Sequence, residues 1–163
     1  MDEAARPAGE RDLPELARLA ELARREAAGT RGADEWARFD DPPTAATLLA
    51  RVERDRAAGV VLVGTLDDVV VGYALVERVV ASDGSAVARV HELFVEPDAR
   101  GVGVAEALVD SVLGWAVAHT CVGVEARVLP GNREGKNLFE RVGLTARAIV
   151  VYRAIDGTRG ERP

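Results

Sequence analysis

The sequence predicts one mixed α/β domain whose sheet is covered by helices, and three observations carry that expectation. Apolar residues recur at helical spacing in the first third, the period changes to β-rich runs at Val60, and strand and helix patterns alternate from Ala86 onward. A chain of 163 residues is long enough to bury a core without disulfide or metal staples.

Arg6-Pro7 to Asp12 reads as an extended lead-in. Leu13, Leu16, Leu19, Ala20 and Ala23 then predict a helix, with Asp12 as its N-cap and Pro14 tolerated in the first turn. Thr30 to Pro43 mixes Gly, Asp and Pro with Trp36 and Phe39 and reads as a structured loop. A second helix is expected from Thr44 to Ala58, stopping at Gly59. Val60–Leu66 and Val69–Val76, joined by Asp67-Asp68, predict a hairpin, and Asp83-Gly84-Ser85 marks the next turn. A strand over Ala86–Val95 ends before Pro97. A helix over Gly103–His119, a strand over Val122–Val128, a helix over Arg133–Val142 and a last strand over Leu144–Ala154 complete the order. Residues 1–155 are thus expected to form the domain and the polar residues 156–163 a frayed tail.

Composition narrows the function. Apolar residues at 48% and charged residues at 29% are ordinary globular usage, which argues against disorder and fibrous repeats. The net charge of -6 argues against a phosphate-neutralising surface for nucleic acid. Cys121 is the only cysteine, so neither an intramolecular disulfide nor a cysteine-rich metal site can form; it is expected to be a buried small residue, not a nucleophile. The N-terminus lacks the pattern of a secretory signal, and Glu106, Asp110 and His119 interrupt the most apolar long stretch, so neither export nor a membrane span is expected. A cytoplasmic protein without a metal is the expectation.

The segment Arg100-Gly101-Val102-Gly103-Val104-Ala105 places a glycine-bearing turn between a strand and a helix. Helix N-termini offer free amides and a positive dipole end, and glycine lets an anion approach the backbone. Arg100 adds a charged donor. The spacing matches neither a dinucleotide-binding fingerprint nor a P-loop, and such turns also serve as plain connections.

With Arg100, Gly103 and Ala105 at the places of its phosphate-binding pattern, the sequence resembles the GNAT superfamily of acyl-CoA-dependent N-acyltransferases. His91-Glu92-Leu93-Phe94-Val95-Glu96-Pro97 looks like that family's fourth strand, and Asn132, Gly135, Leu138, Phe139 and Val142-Gly143-Leu144 resemble its downstream pattern. Arg6-Pro7-Ala8 and Val71-Gly72-Tyr73-Ala74 match its opening and third strand, so the likeness covers about residues 4 to 154.

The resemblance implies a GNAT-like fold with two N-terminal helices, an antiparallel meander and splayed fourth and fifth strands. It also implies acetyl-CoA as co-substrate, an amine acceptor and a homodimer. By the same carry-over, the main chain of Leu93, Phe94 and Val95 meets the pantetheine, Arg100 to Ala105 (Gly101, Val102, Gly103 and Val104 between them) meet the pyrophosphate, and Asn132 and Phe139 line the thioester end. Trp36 and Phe39 fall where the family forms its acceptor pocket, or simply anchor their loop.

Amine attack on a thioester needs a base and eventual protonation of the thiolate. Glu92 is the first candidate base and His91 the second: strand alternation points His91 to the opposite face, but helices can cover both faces, so alternation alone does not choose between them. Either residue also reads as an ordinary packed or paired side chain, and Asn132 as a helix cap. Phe139 stands where the family often has the tyrosine that protonates the thiolate, so no general acid is assigned; a non-catalytic acyl-CoA-binding module is the competing expectation.

Overall fold

A computed structural model describes residues 1–39 and 41–153, apart from the side chains of residues 35, 36 and 39. The expected roles of Trp36 and Phe39, and the tail at 156–163, lie outside what is described. Five strands form one sheet in the order β1-β2-β3-β4-β5: β1 (Glu3–Pro7), β2 (Gly59–Leu66), β3 (Val69–Val80), β4 (Ala86–Val95) and β5 (Gly123–Ala126). The first four are antiparallel neighbours and β5 runs parallel to β4. The helices are α1 (Leu13–Ala27), α2 (Ala33–Phe39), α3 (Ala45–Arg54), α4 (Val104–Ala118) and α5 (Arg133–Arg141).

The two faces of the sheet bury separate layers. Leu16 and Leu19 of α1 and Leu48 and Leu49 of α3 pack on Val61, Val63, Tyr73, Leu75 and Phe94. On the other side Val104, Leu108, Val112 and Ala116 of α4 pack on Val60, Leu62, Val76, Ala88 and Val90. Each fully buried leucine or valine contributes about 1.5–3 kcal/mol, so these layers fix which helix covers which face. Gly64 sets the approach of α4: a Cβ there would lie 2.7 Å from Val104 Cγ1.

Several expectations are refined. The lead-in is an edge strand, β1, paired to β2. The loop before α3 contains the short helix α2. Thr44 caps α3 by accepting from the Thr47 N–H at 3.2 Å, but the helix ends at Arg54, because Asp55 turns extended and its carboxylate accepts from the Ala57 N–H at 2.9 Å. The Asp67-Asp68 turn has φ of 48° and 66°, the left-handed pair that a two-residue hairpin needs.

The strand expected over Leu144–Ala154 is not formed over its described residues. A strand exists through its ladder, and the described residues of this run belong to none. Ile149, Val150 and Val151 are exposed instead, at 86%, 82% and 89%.

Candidate active site

The register of β4 fixes the site. Leu75 faces Glu92 and Val76 faces Val90, which leaves His91 as the extra residue of a β-bulge. The bulge reverses alternation: Ala88 and Val90 point to the α4 side, whereas Phe94 points to the α1/α3 side. His91 and Glu92 consequently share the α1/α3 face, which corrects the expectation that they oppose each other. The simple two-residue period fails here because one residue was inserted into it.

Glu92 accepts a hydrogen bond from the Tyr73 hydroxyl at 2.6 Å. Tyr73 is 1% exposed, and burial first, then the neighbouring Glu92 charge, raise its pKa far above the ordinary tyrosine value; it remains a neutral donor. His91 Nε2 lies 2.9 Å from Glu77 Oε2, and the other oxygen of Glu77 accepts from Arg51 of α3. His91, Glu77 and Arg51 line a pocket of about 390 Å³ together with residues 41–44 and Thr47; Glu92 does not line it.

The β4–β5 ladder ends at the bulge. Pairing runs from Val87 with Gly123 to Val90 with Ala126 and stops, while β4 continues to Val95. Among the described residues, the 91–95 main chain has no strand on its β5 side. This open edge leads through a single 3-10 turn, Pro97–Ala99, to the start of α4. There Gly101 and Gly103 adopt φ of 78° and 100°. The first bond of the α4 ladder runs from the Ala107 N–H to the Gly103 carbonyl at 2.9 Å, so the preceding amides lie ahead of it. A Cβ added to Gly101 would meet nothing within 4 Å, and Val102, Val104 and Ala105 turn their side chains to the α4 core. The local chemistry fits a phosphate group held by main-chain amides.

Three acidic neighbours were not visible in the sequence. Glu3 of β1 reaches this turn: a Cβ on Gly103 would lie 3.0 Å from Glu3 Cγ and 3.2 Å from Oε1. Arg100, expected to point at a phosphate, donates from Nε to the Val95 carbonyl at 2.9 Å and pairs with Glu26 at 2.7 Å and Glu134 at 3.1 Å. Its guanidinium carbon sits 5.6 Å from the Phe94 ring centroid. Arg100 therefore braces the end of β4 to α1 and α5, and an anion at the turn would share it with two carboxylates.

Asn132 caps α5 by accepting from the Gly135 N–H at 2.9 Å. Phe139 packs against the α4-side core, as does half-buried Cys121. No group of three or more His, Cys, Asp or Glu side chains converges among the described residues, and no described helix is long and apolar enough to cross a membrane.

The fold has many solved counterparts. A mutant of the BH1408 protein from Bacillus halodurans superposes with a TM-score of 0.74 at 17% identity, over 93% of this chain and 98% of that one. A ribosomal-protein-alanine N-acetyltransferase from Brucella melitensis gives 0.66 at 21% identity, over 94% and 100%. An aminoglycoside acetyltransferase from an uncultured soil metagenomic sample, in complex with sisomicin, gives 0.66 at 15% identity, over 93% and 94%. No curated protein matches. Residues 16–144 match the family model of the acetyltransferase (GNAT) family. With the sheet and the α4 turn in place, this chain belongs to the acetyltransferase (GNAT) family.

Proposed function

We propose that the protein moves an acetyl group from acetyl-CoA to a primary amine of a small molecule or protein, by direct attack in a ternary complex. The observation that carries this reading is the open edge of β4 at residues 91–95, which runs into the amide-rich start of α4. An extended pantetheine arm can bond to such an edge as an added strand would. In this reading the main chain of Leu93 and Phe94 holds the arm, with Val95 offering what Arg100 leaves of its carbonyl; the turn from Arg100 to Ala105 holds the pyrophosphate, and Asn132 and Phe139 border the thioester.

His91 and Glu92, brought to one face by the bulge, are the candidates for accepting the amine proton. The acceptor classes are supported by two similar structures, one named for ribosomal-protein alanine and one for aminoglycosides. A homodimer belongs to the same reading and is supported by the exposed apolar run Ile149–Val151. A cytoplasmic location accords with a single, unpaired cysteine.

Phe139 favours a second reading, an acyl-CoA-binding module without turnover, because phenylalanine cannot protonate a thiolate. Steady-state release of CoA with a panel of amines and peptides separates the two. Release that requires both protein and amine supports transfer; tight acetyl-CoA binding with no release from any acceptor supports the module.

A further inference from the structure

The two proton-handling candidates are not equivalent in their surroundings. Glu92 is held by Tyr73 and stands outside the pocket, whereas His91 lines it with a side chain only 10% exposed. An ionised carboxylate has no proton to donate, so the Glu77–His91 bond makes Nε2 the N–H of the neutral ring and leaves the lone pair on Nδ1. Among the described residues no group bonds Nδ1. Arg51 fixes the second oxygen of Glu77, which completes a base held by an orienting carboxylate that is itself held. His91 is also the first β4 residue beyond the last β4–β5 pair, Val90 with Ala126. A pocket of about 390 Å³ has the size of small-molecule sites.

We infer that His91 carries the proton through the whole transfer, with Glu77 and Arg51 as its positioning residues and the pocket beside it as the seat of the amine. The inference rests on the acetyl-transfer reading above and deepens it. The amine nitrogen forms the new N–C bond and the C–S bond breaks with its electron pair left on sulfur. Nδ1 takes one proton from the amine nitrogen and returns it to that sulfur. Nothing is oxidised or reduced, the histidine ends as it began, and Phe139 needs no replacement donor. The charged groups around the imidazole are Glu77 from β3, Arg51 from α3 and Asp41 from the segment before α3. On its own strand stand Glu92 and Arg89, the latter paired with Glu125 of β5.

The test is the pH dependence of CoA release from acetyl-CoA and the best amine of the panel, for the wild type, His91→Asn, His91→Gln, Glu77→Gln and Glu92→Gln, with acetyl-CoA binding and thermal melting measured alongside. His91→Asn is expected to lower kcat by about 10²–10⁴-fold without weakening acetyl-CoA binding. The acidic limb of the wild-type profile disappears in this variant and persists in Glu92→Gln. Glu77→Gln loosens the hold on the ring, so kcat falls while the KM for acetyl-CoA stays unchanged, a split that a merely structural role would not produce. His91→Gln serves if His91→Asn fails to fold. Folded His91 variants that keep kcat within threefold, or a limb that survives in them and vanishes in Glu92→Gln, overturn the inference alone. A wild type that binds acetyl-CoA and turns over no amine overturns the transfer reading, and this inference with it.

Discussion

Asp12→Asn is expected to destabilise the fold, by an amount that follows from one pair. Arg6 at the end of β1 reaches Asp12 with two bonds of 2.8 Å, and the Gly9 N–H donates to the same carboxylate at 2.9 Å. Asp12 is 5% exposed. The Arg6 hydrogen bond, with lesser help from Gly9 and the charges of Arg6 and Arg11, outweighs burial and lowers its pKa from 3.8 to about 2. A folded-state pKa below the unfolded one adds stability that is full above the unfolded value and fades as pH falls through the folded value. The shift corresponds to about 2 kcal/mol at pH 7, about half of which is gone at pH 3. Urea unfolding of the wild type and Asp12→Asn at pH 7 and pH 3, compared at equal slope, measures it. A gap under about 0.5 kcal/mol at pH 7, no larger than an exposed ion pair provides, or one that does not shrink at pH 3, would refute the assignment.

Other perturbations act nearer the site. Glu3→Gln removes a carboxylate from the α4 N-terminus and should tighten acetyl-CoA binding about two- to fivefold by calorimetry, the size of a helix-end charge effect. Arg100→Ala should weaken that binding about tenfold, the low end of a charge-assisted bond, since the guanidinium is already shared with Glu26 and Glu134. Tyr73→Phe should cost about 1.5 kcal/mol in denaturant unfolding, because Glu92 is half-buried and water can replace the lost donor.

Much of this fold was legible because its signals are local. The Asp67-Asp68 turn, the start of α3 near Thr44 and the run from Val95 through Gly103 into α4 each carry their own chemistry within a few residues. Tertiary placement was not legible. The bulge at His91 depends on how β3 and β4 register, and nothing in His91-Glu92 announces an inserted residue. Glu26 and Glu134 meet Arg100 from 74 and 34 residues away, Glu3 arrives from the sheet edge, and Glu77 reaches His91 from the next strand. The Leu144–Ala154 run shows the converse: its β propensity was plain, but a strand also needs a ladder, and its described residues join none.

The central claim places acetyl-CoA along the free edge of β4 and on the first turn of α4. Backbone amide hydrogen exchange of the protein with and without acetyl-CoA tests it most directly. The account predicts that new protection concentrates at residues 91–95 and 101–106. Saturating acetyl-CoA that leaves both segments unprotected, or protects instead the hollow formed by Pro7, Leu49 and Arg56, would contradict it.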